Sequence, residues 1–173
     1  MVAIKNLIYF IAVASAYVVR RDAAAINSDL RAINQDTLDL KAAADRYSGG
    51  LFGALPVQNA AGDLEATINE ATDTANASAP VNDSEAASII NYINTTLSPN
   101  VDATLTSIEN KRTQFTNAGL KGTVQQTLAT LRQDTNEYGQ ALLAKAPESA
   151  QADGQAVLAK IDNDFAETQA FYA

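Results

Sequence analysis

Carboxylates and hydroxyls are the reactive side chains that this 173-residue sequence offers, because it contains no histidine and no cysteine. Their absence removes the Ser-His-Asp triad, the Cys-His pair and the usual zinc ligand sets. Paired carboxylates remain, as glycosidases use them: one acid protonates the leaving group and a second activates water or attacks across a sugar cleft. Two groups have the required composition, Asp63 with Glu65 and Glu70, and Asp162 with Asp164 and Glu167. Each reads as a solvated helix face or first turn. Asp162-Asn163-Asp164 resembles the start of a calcium loop, but the glycine and the closing glutamate are missing at the required spacing. Gly49-Gly50 and the Gly119, Gly122 pair lack the lysine-hydroxyl ending of a phosphate loop. The sequence therefore points to no catalytic residue, no metal site and no cofactor.

The elements that carry these residues are helical. Apolar residues recur at alternating steps of three and four, the mark of one buried stripe per helix. The first stripe runs Ile26, Leu30, Ile33, Thr37, Leu40, Ala44, Tyr47, and Gly49-Gly50 ends it. A second comprises Leu64, Ile68, Ala71 and Ala75, stopping before Pro80. A short third, Ile89, Ile90, Ile93 and Leu97, follows an Asn82-Asp83-Ser84 cap with Glu85 in the first turn. Ser98-Pro99 has the form of a new N-cap and first residue, ahead of Val101, Leu105, Ile108, Arg112 and Phe115. Whether Pro99 kinks one helix or separates two stays open. After Gly119 and Gly122, Thr123 and Gln126 stand at capping-box spacing for a helix carrying Val124, Leu128, Leu131, Thr135, Tyr138 and Leu142. Beyond Pro147 the last stripe is Val157, Leu158, Ile161, Phe165, Thr168, Tyr172.

Short connections between the helices favour antiparallel neighbours, so the expected fold is all-α, an up-and-down bundle of five or six amphipathic helices. Alanines and threonines in the stripes allow either close packing or an enclosed apolar cavity edged by hydroxyls, and the sequence leaves both open. The segment Leu51 to Val57 is apolar in a stretch broken by glycine and proline, and is expected as an exposed loop, a lid or a foot on an apolar surface.

Residues 1–21 read as a leader. Lys5 supplies positive charge, Leu7 to Val13 is apolar, and Ala14-Ser15-Ala16 suits a signal peptidase; Arg20-Arg21 suits a trimming protease. Cleavage is thus expected after Ala16, Arg21 or both, leaving one domain over 22–173 with no transmembrane segment. The apolar run falls short of the about 20 residues a membrane span needs. Loss of Lys5, Arg20 and Arg21 takes the formal charge from −8 to −11. With its basic residues scattered from Arg31 to Lys160, such a chain is no partner for nucleic acid. Without disulfides, stability must come from helix packing. Sequons at Asn76, Asn82 and Asn94 are candidate glycan acceptors.

Ile26, Asp29-Leu30, Ile33, Leu40, Tyr47 and Gly49-Gly50, then Leu64 and Ile68, all behind a leader, give the chain a familiar outline. It resembles the fungal hydrophobic surface-binding protein A family, which includes the cell-wall galactomannoproteins of moulds. The likeness runs from Asp22 to Ala173; the first helix and the Gly-Gly turn are its most specific part. It implies a secreted or wall-associated helical bundle that adsorbs to hydrophobic surfaces or encloses a fatty-acid chain. Wall-anchored members carry a Ser/Thr-rich tail and a hydrophobic anchor signal, whereas this chain ends Phe171-Tyr172-Ala173, so a freely secreted form is expected.

The function expected is secreted, non-catalytic binding of hydrophobic surfaces or lipids of the long-chain fatty-acid class. Periodicity nominates Ile33, Leu40, Ile68, Ile93, Leu105, Leu128, Leu131, Ile161 and Phe165 as the apolar lining, with Thr135 or Tyr138 for a carboxyl head. The alternative is a structural or antigenic cell-wall mannoprotein, held among wall polysaccharides by its glycans and binding no small molecule.

Overall fold

A computed structural model describes residues 5–173, with side chains described from Asp22 onward. The leader and its cleavage points after Ala16 and Arg21 lie outside the described side chains. No strand forms among the described residues. Helix α1 (Lys5–Arg46) buries Ile26, Leu30, Ile33, Thr37, Leu40 and Ala44 on one stripe. It ends where Gly49 and Gly50 take φ of 124° and 79°, values that a Cβ disfavours. A 3₁₀ turn (Phe52–Ala54) leads into α2 (Leu55–Ala77), with Pro56 in the first turn, where its missing N–H breaks no bond. The Leu51–Val57 stretch is therefore largely helical rather than loop, though Leu51, Phe52 and Leu55 are exposed.

Helix α3 (Asp83–Tyr92) opens with a capping box: Asn82 Oδ1 accepts the Glu85 N–H at 3.0 Å, and Glu85 Oε2 accepts the Asn82 N–H at 3.0 Å. A π-helical turn (Ile93–Leu97) then carries the chain without a break into α4 (Ser98–Asn110). Ser98-Pro99 is accordingly not a helix start. Pro99 has no N–H to donate and its ring crowds the carbonyl four residues back, so the ladder widens by one residue instead of ending. Short α5 (Arg112–Asn117) closes in a Schellman turn, with Leu120 N–H on Phe115 O at 2.8 Å, Gly119 N–H on Thr116 O at 3.0 Å, and Gly119 at φ 74°. That turn launches α6 (Lys121–Lys145) directly, so Gly122 sits inside the helix and Thr123 is no cap. Ala146, extended as a residue before proline must be, and Pro147 lead to α7 (Glu148–Phe171).

Packing closes five rods into a ring in the order α1, α2, α6, α7 and α3–α4, which returns to α1. Thr67 bonding Asp36 and Ala79 bonding Asp22 set α2 antiparallel to α1. Asn34 with Asn100 and Thr37 with Thr104 set α4 parallel to it. Arg132 pairs with Asp162, and Gln151 bonds Leu143 O, so α6 and α7 are antiparallel. The chain thus runs up and down, but only α1/α2 and α6/α7 are neighbours in both sequence and space. Where α6 meets α7, Gly139 receives Leu158 and Gly154 receives Leu143, each where a Cβ would collide. One end, the base, holds the start of α3 and the end of α6; the other, the tip, holds Gly49-Gly50, α5 and the end of α7.

Candidate functional site

Cylinders about 10 Å wide leave an axial gap of roughly 3.5 Å radius when five are set in a ring, against roughly 2 Å for four. Large side chains fill most of that axis, and three apolar cavities remain in a file along it. The base chamber has about 90 Å³, the middle about 50 Å³ and the tip about 60 Å³. Their walls are shared. Leu97, Thr135, Tyr138 and Ile161 line both base and middle chambers; Leu40, Ile108, Leu128 and Leu131 line both middle and tip. Each partition is thus a layer of side chains rather than backbone.

All eleven residues nominated from the stripes face this file. Ile33, Ile68, Leu105 and Phe165 lie in the middle chamber and Ile93 in the base chamber; Leu40, Leu128, Leu131, Ile161, Thr135 and Tyr138 stand in the partitions. Periodicity did not single out Leu97 and Ile108 as dividers, although both are stripe residues. Val81, which lines the base chamber, and Ala54 and Val57, which line the tip chamber, lie in or beside turns, where a helical period carries no signal.

The chambers contain almost no polarity. Thr37 and Thr104 spend their hydroxyls on backbone, Thr37 on Ile33 O at 2.7 Å and Thr104 on Asn100 O at 2.7 Å. Tyr138 differs: its ring is buried and its hydroxyl has no hydrogen-bond partner. Burial, aided by the nearby Asp29 carboxylate, pushes its pKa well above that of a free phenol, so it stays a neutral donor. Asp29 itself is raised by burial, with Glu70 adding and Thr74 partly offsetting. Asp134, one turn before Tyr138, is also raised by burial, with Glu65 and Glu137 adding.

The carboxylate groups stay outside the chambers. Asp63 and Glu70 are exposed on α2 and Glu167 on α7. Asp164 pairs with Lys160 at 2.6 Å. Arg132 grips Asp162 through two bonds of 2.6 and 2.7 Å and, with Asn136, holds its pKa down at about 2. Among the described residues no group of acids converges as a metal ion would require, and no helix is long and apolar enough to cross a membrane. Asn76, Asn82 and Asn94 are all exposed, Asn76 in the last turn of α2 and Asn94 in the π turn.

No curated protein matches the sequence. Among solved structures the chain is similar to Afmp4p in complex with palmitic acid, at 28% identity and a TM-score of 0.84, covering 87% of this chain and 99% of that one. It shares its fold with ligand-binding domain 2 of the Penicillium marneffei MP1 protein complexed with multiple arachidonic acids, at 15% identity and a TM-score of 0.82 over 87% and 95% of the two chains. Domain 1 of that protein, complexed with arachidonic acids, gives 11% identity and a TM-score of 0.83 over 88% and 99%. Residues 23–144 match the family model described as hydrophobic surface binding protein A. With a five-rod bundle around an apolar file and a family match over most of its length, the chain belongs to the hydrophobic surface-binding protein A family.

Proposed function

We propose that the protein is an extracellular, non-catalytic binder of long-chain fatty acids, holding one acyl chain along the file, from a head group at the partition between base and middle chambers through the middle and tip chambers. The observation that carries this reading is the file itself: three apolar spaces in line, divided only by side chains that can change rotamer. No single chamber reaches the about 300 Å³ at which small-molecule pockets begin. A ligand long and thin enough to join them fits where a compact one does not. Burial at about 0.8 kcal/mol per methylene offsets the opening of the partitions and the ordering of the chain. The structural neighbours complexed with palmitic and arachidonic acids support the ligand class.

Tyr138 is the anchor for the head group, since its hydroxyl is an unused donor between two apolar spaces. Asp29 behind it disfavours a second negative charge, so the head at this position is the protonated acid.

Export follows from removal of residues 1–21. Support comes from the family match, which begins at residue 23, and from Asp22, which accepts the Ala79 N–H at 3.2 Å at the foot of α2. Glycans at Asn76, Asn82 and Asn94 would project into solvent, where they can contact wall polysaccharide. The test is titration of delipidated protein, residues 22–173, with palmitic acid, beside a variant in which Leu131→Trp and Ile161→Trp plug both partitions. Saturable binding by the parent, lost in the folded double variant, is expected. No binding by the parent overturns the proposal and leaves a wall mannoprotein without a small ligand as the reading.

A further inference from the structure

The four large hydrophobic residues that stand exposed among the described residues all lie at the tip: Leu51 (59%), Phe52 (84%), Leu55 (49%) and Phe171 (46%). Three of them belong to the turn that enters α2, at the mouth of the tip chamber. Gln58 and Thr123, both exposed, line that chamber, so it reaches the surface between the first turns of α2 and α6, one turn from Leu55. Apolar side chains projecting beside an opening into an apolar file have a function that folding alone does not supply.

The tip is also where the basic residues gather, although they are scattered in sequence. Lys111 Nζ bonds Asp45 O and Tyr47 O, both at 2.8 Å, which places it beside Arg46 at the end of α1. The Arg112 guanidinium lies 5.0 Å from the centre of the Phe171 ring, and Lys121 Nζ bonds Ala173 O at 2.6 Å. The acids of this end are Asp45, which pairs with Lys41, Glu109, which accepts from Thr168, and Glu167, exposed near the end of α7, against the four bases Arg46, Lys111, Arg112 and Lys121. An otherwise acidic bundle about 37 Å long therefore presents a basic, apolar end, and most of its acids lie beyond the Debye length of about 8 Å from anything touching the tip.

From this geometry we infer that the tip is a docking foot for an anionic lipid–water interface, through which an acyl chain passes between membrane and chambers. Leu51, Phe52 and Leu55 enter the headgroup boundary while Arg46, Lys111, Arg112 and Lys121 meet anionic headgroups. The passage of ligand rests on the fatty-acid reading; docking itself does not.

The test is flotation of the 22–173 protein with phosphatidylcholine vesicles, with and without about 30% phosphatidylglycerol, alongside palmitate titration in solution. The parent is expected to float with the anionic vesicles and far less with the neutral ones. Leu51→Ser with Phe52→Ser, which line no chamber, should cut partitioning at least about tenfold and leave palmitate affinity in solution unchanged. Arg46→Gln should weaken partitioning about fivefold, and only with anionic vesicles. Failure of the parent to float, equal flotation with neutral vesicles, or flotation of the serine variant like the parent each overturns the inference. A parent that floats but takes no palmitate sustains the foot and removes the fatty-acid reading instead.

Discussion

Tyr138 carries the chemical asymmetry of the interior. A phenol whose hydroxyl lacks a partner loses little when that oxygen is deleted, but a ligand that depends on it loses a hydrogen bond. Tyr138→Phe is therefore expected to leave stability within about 0.5 kcal/mol of the parent and to weaken palmitate binding by about 1 kcal/mol. Paired denaturant and titration curves check both halves; equal loss in stability and binding would mean the hydroxyl is structural. The stripes made Tyr138 and its ten companions visible as interior residues because helical periodicity reports burial. Periodicity does not distinguish a side chain that fills space from one that borders it. The divider role of Leu97 and Ile108, and the place of Val81, Ala54 and Val57 in the walls of the outer chambers, depend on how rods from different parts of the chain meet.

Helix boundaries follow the same division between local and distant causes. The Asn82–Glu85 box is complete within four residues; the sequence predicts a cap within Asn82-Asp83-Ser84 and Glu85 in the first turn, and the structure makes Asn82 the cap and adds the reciprocal Glu85 bond. In protein without glycans, Asn82→Ala is expected to cost about 1 kcal/mol, whereas Asn82→Asp should cost little because it keeps the acceptor; equal losses would show that the cap contributes nothing. Ser98-Pro99 has an equally good local signal and forms no start, because Leu97 and Ser98 are buried against the ring and the helix continues through a π turn. Thr123 loses its expected role to the Schellman turn at Gly119, which starts α6 three residues earlier. Between α6 and α7, Gly139→Ala would drive the added methyl into Leu158, which borders the base chamber. Overpacking of about 1–3 kcal/mol is partly offset by the gain of about 1 kcal/mol in helix propensity, and Leu158 has a cavity to turn into. The variant should stay folded and keep its affinity for palmitate, because the acyl chain runs from Tyr138 away from the base chamber; a selective loss of affinity would place the chain in the base chamber instead.

At the scale of the bundle, the order of helices around the ring and the gathering of basic residues at the tip were not legible, since both arise from contacts between residues some sixty apart in sequence. The all-α class was legible, because every stripe has the helical period. Whole-molecule titration brings the buried acids together. The pKa values of Asp29 and Asp134 are raised on folding, so the folded state binds more protons than the unfolded one just above the usual carboxylate range, and stability falls as pH rises through it. Asp162 has the opposite sign: its pKa of about 2 contributes stability above the ordinary carboxylate value, lost as pH falls towards about 2. Stability is expected to be greatest near the ordinary carboxylate range, with Tm falling as pH rises out of it. Asp29→Asn together with Asp134→Asn should flatten that fall. A parent whose Tm climbs through neutrality would contradict the assignment.

One linear hydrocarbon lying in file through the chambers entails a dependence on chain length. Titration of delipidated protein with saturated fatty acids of increasing chain length measures that dependence directly. Affinity should rise about fourfold per methylene until the file is filled, and then level off or fall. Binding that is indifferent to chain length, or absent at every length, would contradict it.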